Sequence, residues 1–319
     1  MAARNTLRRA LLYVPGSSQR FLDKSRSLTA DCVTYDLEDS VTPHKKDEAR
    51  SLVRRALDQK KPEGFRERAV RINSVDSGLA LRDLNEILKS PNLTTIVIPK
   101  VNTPSDLTFV TDVVKHTLSQ QDHDRPPISL LALIESAKSL TNLNQICTAS
   151  PLLQGLIFAA EDFALDLSLT RTPSLTEFLF ARSAIVTATR AAELPSAIDL
   201  VCTAYRSSGA DSSSAMDVLE AECRGGKQLG FNGKQCIHPS QVETAQRVFG
   251  PEEKEVEWAV RVVVADEKAA AEGRGAWTLD GKMIDIPVAE KARAIMRKAG
   301  ECGFNIPDLR ERWKHQGPE

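Results

Sequence analysis

Eight short apolar runs recur along the chain: ALLYV (10–14), CVTYDL (32–37), AVRI (69–72), TIVIP (95–99), LLALI (130–134), GLIFA (155–159), AIDLV (197–201) and QCIHP (235–239). Their brevity and their β-branched and aliphatic content predict strands. Between them, apolar residues return every three or four positions, as in SLVRRALDQ (51–59), GLALRDLNEILKS (78–90), SDLTFVTDVVKHTL (105–118), LTEFLFARSAIVTATRAAEL (175–194) and SAMDVLEAECRGGKQLG (214–230). That spacing predicts amphipathic helices, the last stopped by Gly230. Alternating strands and helices predict parallel strands with crossover helices. Eight such units in about 250 residues have the length and count of a closed (β/α)8 TIM barrel. An open doubly wound sheet is the alternative, but YVPGSSQRF, after the first strand, is not G-x-G-x-x-G, and RGGKQLGFNGK does not fit a P-loop.

Past Gly250 the pattern changes. PEEKEVEWAVRVVVADEKAAAEG reads as a charged amphipathic helix, RGAWTLDGKMIDIP as a loop, and VAEKARAIMRKAG as a further helix. The expected organisation is a barrel domain over 1–250 and a C-terminal helical extension over 251–319. An appendage of about 70 residues is too small to hold much core alone, so it is expected to pack on the barrel or on a neighbouring subunit.

Composition narrows the function. The formal net charge is -1 and aromatics make up 5%, which argues against a nucleic-acid surface and for a small-molecule substrate. Cys32, Cys147, Cys202, Cys223, Cys236 and Cys302 form no C-x-x-C pair and read as reduced thiols. No apolar stretch approaches the roughly 20 residues needed to cross a bilayer; a soluble, cytoplasmic protein is expected. The start, MAARNTLRRA, is Arg-rich and acid-free, which leaves a mitochondrial matrix location as the alternative, although a short solvated leader explains it as well.

The predicted strand ends carry charge that stability does not require. They bring Tyr13, then Asp36, Glu38 and Asp39, then Arg71 and Asn73, Lys100, Glu135, Glu161 with Asp162, and His238. In a barrel of this kind the active site lies where strands deliver their C-terminal residues. Facing carboxylates repel and need a proton, an arginine or a metal ion between them. Glu135 and Asp162, on neighbouring strands about 4.8 Å apart, can reach one ion, and a few hard oxygen ligands suit Mg2+. A helix cap or surface ion pair is the plainer reading of either acid taken alone. Arg71 keeps its charge and its fork suits a carboxylate or an enolate oxygen. A cation and an arginine beside one cavity stabilise negative oxygen as it forms, which is enolate chemistry.

The successive stretches LRRALLYVPGSSQRFLDKS, YDLEDSVTPHKKDEAR, AVRIN, IVIPKV, LIESAKSL, LIFAAEDFALDL and GFNGKQCIHPSQV resemble, in order, signatures of the citrate lyase β-subunit-like proteins of the HpcH/HpaI aldolase superfamily. GAWTLDGKMIDIPVAEKARAI resembles the C-terminal extension of malyl-CoA and citramalyl-CoA lyases. The resemblance implies a carbon-carbon lyase dependent on Mg2+, with Mn2+ as a substitute, that works on an acyl-CoA and a 2-oxo acid. It implies Glu135 and Asp162 as metal ligands, and Arg71 as the contact to substrate carboxylate and oxyanion. It implies Tyr13, Arg20 and Lys24 as CoA contacts, with Ile237 and His238 lining the acyl-CoA site. Asp285 is implied as an acid/base residue inserted into an adjacent subunit's site, hence a homotrimer or a dimer of trimers. After the seventh strand, CTAYRSSGAD lacks an acid pair that some relatives show.

Arg20 and Lys24, four residues apart, share a helix face that suits a pyrophosphate or 3'-phosphate; Lys24 as an ordinary solvated lysine is the plainer reading. Glu38 and Asp39 are candidates to support waters around the ion, or simply to shape a turn. His238 is expected to line the site without transferring protons, and His44, His116, His123 and His315 to lie on the surface. The alternatives to a lyase are malyl-CoA thioesterase or malate-synthase-like action, a CoA-independent 2-oxo-acid aldolase, and a non-catalytic CoA-binding regulator.

Overall fold

A computed structural model describes residues 7–61, 66–120, 125–206 and 214–319. The leader over residues 1–6 and His123 lie outside the described residues. Eight parallel strands close into a barrel in chain order, as the alternation predicts: β1 (Ala10–Pro15), β2 (Cys32–Asp36), β3 (Glu67–Arg71), β4 (Thr95–Ile98), β5 (Ser129–Ile134), β6 (Leu153–Phe158), β7 (Ser196–Asp199) and β8 (Gly233–Cys236). Around them run α1 (Gln19–Ser25), α2 (Lys46–Asp58), α3 (Ala80–Ile87), α4 (Pro104–Ser119), α5 (Ala137–Thr141), α6 (Leu143–Thr148), α7 (Ala160–Leu167), α8 (Leu179–Ala191), α9 (Ala215–Leu229) and α10 (Val242–Phe249). Strands average few residues, so each stave spans the barrel once and its last residue falls at the mouth.

Strand alternation sorts the side chains into two cores. Outward positions such as Leu12, Val33, Val70, Ile96 and Ala132 pack against the helices. Inward positions fill the barrel interior with Leu11, Cys32, Ala69, Val97, Leu131, Leu133, Ile157 and Ile198. The same inward rows are polar at both ends. At the N-terminal end Arg8 donates to both carboxylate oxygens of Glu67, each at 2.6 Å, and to Ser196 Oγ at 2.8 Å; all three are buried. At the C-terminal end the inward rows finish with Tyr13, Asp36, Arg71 and Gln235. Gly16 brings β1 close to β2 there: its N–H donates to Asp36 O at 2.9 Å, and a Cβ on it would lie 2.5 Å from that oxygen.

Two compact units divide the chain, Met1–Phe249 and Gly250–Glu319. The second contains α11 (Glu253–Ala271), a hairpin of β9 (Trp277–Leu279) and β10 (Lys282–Ile284), α12 (Ile286–Glu301) and α13 (Ile306–Arg312). The hairpin corrects the loop expected over 274–287. Asp280 and Gly281 both take positive φ, 49° and 72°, the pattern of an Asp-Gly hairpin turn. The unit has a small core of its own in which Ala259, Val262, Val263 and Ala292 close on Trp277, Leu279 and Ile284. Among the described residues no helix is long and apolar enough to cross a membrane.

Candidate active site

Strand register assembles the first part of the site. Asp36 is the lateral partner of Arg71 across the β2–β3 pair, so both side chains leave the wall on the same side. Arg71 donates Nε to Asp36 Oδ1 at 2.7 Å and a terminal nitrogen to Oδ2 at 2.8 Å. Burial pushes the Asp36 carboxyl up, but the Arg71 hydrogen bonds outweigh it and hold Asp36 below the ordinary range. The guanidinium lies 4.8 Å above the centre of the Tyr13 ring, a cation–π contact. Its remaining nitrogen stands 3.1 Å from Glu38 Oε2 and 3.4 Å from Asp39 Oδ2. Burial raises the Tyr13 hydroxyl above its usual range; protonated, it donates to Gln235 Oε1 at 3.1 Å.

The second part comes from β2, β4, β5 and α7. Lys100, just past β4, has a left-handed backbone with φ 52°. Such a conformation is costly for a residue with a side chain and persists where its surroundings enforce it. Here it turns the Lys100 N–H toward a carboxylate oxygen of Glu135, while Nζ donates to Glu38 Oε1 at 2.8 Å. Glu38 is buried, and burial together with Asp39 keeps its carboxyl above the ordinary range against the pull of Arg71 and Lys100. Lys46 Nζ fixes the backbone after β2 through the Leu37 and Glu38 carbonyls, both at 2.8 Å, and Asn73 Oδ1 at 2.6 Å.

Glu135 is 5% exposed. Burial, then the charges of Glu38 and Asp162, push its carboxyl up to about 8, despite the Lys100 N–H. Glu135 and Asp162 are thus brought near enough to repel. Asp162 sits in the first turn of α7, not at the end of β6 as expected from sequence, because the chain enters the helix at Ala160 immediately after the strand. No group of three or more His, Cys, Asp or Glu poised for a metal occurs among the described residues. The donor set is two mutually repelling carboxylates, Asp162 on the cavity wall and Glu135 buried and not among the lining residues; hard oxygen donors of this kind would suit Mg2+. A soft or strongly caged ion fits it poorly.

A cavity of about 400 Å3 opens at this mouth, lined by Tyr13, Asp36, Asp39, Arg71, Asp162 and Gln235 among others. Ile237 also lines it and is 42% exposed. β8 ends at Cys236, so Ile237 and His238 lie beyond the strand that the sequence pattern assigns them to. His238 stacks on Tyr205 with ring centres 5.5 Å apart, and its Nδ1 lies 2.8 Å from Ser240 Oγ at the start of the following turn. Arg20 and Lys24 are exposed on α1 and are not among the cavity's lining residues. Asp285 caps α12, its Oδ1 accepting from Val288 N at 3.2 Å, and is flanked by exposed Met283 and Ile286. His44, His116 and His315 are exposed, in keeping with the sequence pattern.

Sequence reasoning placed Asp36 and Lys100 at the mouth without assigning them a partner, and passed over Gln235. Inward parity was the available signal: Cys32, Thr34 and Asp36 alternate on one side of β2, as Glu67, Ala69 and Arg71 do on β3.

Eight parallel staves with acids and an arginine gathered at their C-terminal mouth define a TIM-barrel enzyme. The chain belongs to the HpcH/HpaI aldolase/citrate lyase family, whose model matches residues 9–239, and it is a lyase. It is 37% identical over 300 residues to citrate lyase subunit beta of Escherichia coli (strain K12), covering 93% of this chain and 95% of that protein. It is 34% identical over 295 residues to the mitochondrial citramalyl-CoA lyase of Homo sapiens, covering 90% and 84%. The crystal structure of CitE from Mycobacterium tuberculosis in complex with magnesium, acetoacetate and coenzyme A matches with a TM-score of 0.71 at 26% identity, covering 93% of this chain and 99% of that one.

Proposed function

We propose that the chain is a Mg2+-dependent lyase that cleaves a 3-hydroxy-carboxyl-acyl-CoA such as citramalyl-CoA or malyl-CoA to acetyl-CoA and a 2-oxo acid, or runs the reverse condensation. The observation that carries this reading is the pair Glu135 and Asp162, repelling each other beside an arginine that Asp36 pins in place. The relatives' names and the CitE complex support it. Glu135 and Asp162 would hold the ion, Mg2+ or Mn2+, and when bound it supplies positive charge against oxygen that becomes negative in the reaction.

The chain's own residues do the rest. Arg71, with one edge spent on Asp36, offers its remaining nitrogen to the carbonyl or carboxylate oxygen of the 2-oxo acid. Tyr13 supports the guanidinium from below. Cleavage breaks the bond between the α-carbon of the thioester and the hydroxyl-bearing carbon; the hydroxyl proton passes to water, the oxygen's electrons close the carbonyl of the 2-oxo acid, and the bonding pair passes to the acyl-CoA as its enolate. Asp285 of a neighbouring copy is the acid that protonates the α-carbon, or the base that removes the proton in condensation. That role implies an oligomer, proposed as a homotrimer or dimer of trimers and checked by light scattering. Arg20, Lys24, Ile237 and His238 are proposed along the CoA path.

The deciding experiment measures cleavage of citramalyl-CoA and malyl-CoA with and without Mg2+. Metal-dependent release of acetyl-CoA is expected. Turnover undiminished by a chelator overturns the metal-site reading, and release of free CoA with no 2-oxo acid identifies a thioesterase instead.

A further inference from the structure

Arg171 lies in the loop beyond α7, and its guanidinium returns along the helix to the first turn. There one terminal nitrogen donates to Glu161 Oε1. The other donates to Glu222 Oε1 on α9 at 2.7 Å and to the Val201 carbonyl at 3.1 Å. Glu222 is held in turn by Lys234 of β8, whose Nζ stands 3.0 Å from Oε2. Lys234 is fully buried and, next to inward-facing Gln235, points outward from the barrel wall. Burial pulls its ammonium down, but Glu222 and Asp199 outweigh burial and hold it above the ordinary range. Glu161 and Val201 both line the cavity, so one guanidinium ties two parts of its wall to the outer layer of the barrel.

What this strap fixes is the first turn of α7, and with it Asp162. Ala159, at the N-cap position, has no side-chain oxygen with which to cap the helix, so the first turn is placed by contacts from other elements. Two of these are polar and lie on different faces. Asp166, one turn beyond Asp162 on the same face, accepts the Ala137 N–H at 2.7 Å, which ties the helix to the segment that follows Glu135. Glu161, about 100° around the helix from Asp162, is held by Arg171.

Resting on the reading of Asp162 as a metal ligand, we infer that Arg171 is a positioning residue: through Glu161 it sets the place of the Asp162 carboxylate relative to Glu135, and with it the affinity of the site for Mg2+. Buried ion pairs add little net stability over apolar residues packed in the same space. The gain from this one is fixed geometry where two repelling acids must be held together. Groups that orient the ligands of a metal contribute about ten- to a hundredfold to its binding. Charge alone predicts the opposite sign, because Arg171→Met removes a cation beside the cavity and by Coulomb's law would tighten the binding of a dication.

The test is calorimetric binding of Mg2+ to the full-length wild-type, R171M and R171K proteins, with melting temperatures measured alongside. R171M is expected to bind Mg2+ about tenfold more weakly. R171K keeps the charge, but an ammonium lacks the planar fork that spans Glu161, Glu222 and the Val201 carbonyl. Binding about threefold weaker, at a melting temperature near wild type, is expected of it, and R171K alone decides the matter should R171M not fold. Binding that is unchanged in either variant, or tighter in R171M, overturns this inference and leaves the lyase reading standing. A wild-type protein that takes up no Mg2+ overturns the metal-site reading itself, and this inference with it.

Discussion

Binding of Mg2+ by this protein should be coupled to one proton, and Glu135 is the group that carries it. Burial and the charges of Glu38 and Asp162 raise its carboxyl to about 8 in the metal-free protein, against an ordinary value near 4.5. At pH 7 the metal-free site is then roughly nine-tenths protonated on Glu135, and a cation must displace that proton. The apparent affinity for Mg2+ is expected to rise roughly tenfold from pH 7 to a plateau above pH 8.5, equivalent to about 1.4 kcal/mol, and roughly a hundredfold from pH 6. Titration calorimetry at pH 7 in two buffers of different ionisation enthalpy should report release of about nine-tenths of a proton per ion. Stability carries the same sign. Between about pH 5 and 8 the folded protein retains a proton that the unfolded chain gives up, so the chelator-treated protein loses stability as pH rises through that window, and Mg2+ restores it. Glu135→Gln removes both effects. An affinity flat from pH 6 to 9 with no proton release would refute the picture of two unneutralised acids at the barrel mouth.

Three further outcomes are expected. Asp285→Asn keeps the α12 cap, because asparagine caps as well as aspartate, so the melting temperature should barely move while turnover falls by roughly 10² to 10⁴; a loss of stability with turnover intact would leave Asp285 a cap and nothing more. Arg8→Met leaves buried Glu67 without its partner at the closed end of the barrel, a cost of about 3–5 kcal/mol in chemical denaturation, with KM for the thioester unchanged in the protein that remains folded. Lys100→Met removes the ammonium that holds Glu38 and should lower kcat about tenfold with little change in melting temperature; an unchanged kcat would assign Lys100 a purely local role.

Most of the barrel is legible in the sequence because each stave is a short apolar run that ends in polarity, and the helical stretches between them keep their period. The last two staves stop short: AIDLV runs to Val201, whereas β7 ends at Asp199, and the eighth falls short in the same way. QCIHP places Ile237 and His238 within a strand, whereas pairing stops at Cys236, because Gln241 Oε1 takes the Ile237 N–H that a continuing ladder would have used. The hairpin over 277–284 had its own signal in an Asp-Gly pair between the short runs WTL and KMI, which the surrounding charged loop composition masked.

Which residues stand at the mouth of the barrel is written in the order of the chain. An acid or arginine that closes an apolar stave can go nowhere but the stave's end, so Glu38, Arg71 and Glu135 were readable without coordinates. How those charges are matched depends on the folded chain. The pairing of Asp36 with Arg71 depends on the register between two strands, the link from Lys100 to Glu135 on a left-handed backbone, and the repulsion between Glu135 and Asp162 on where α7 begins. Electrostatic energy depends on distance and burial, which the order of residues along a chain does not contain.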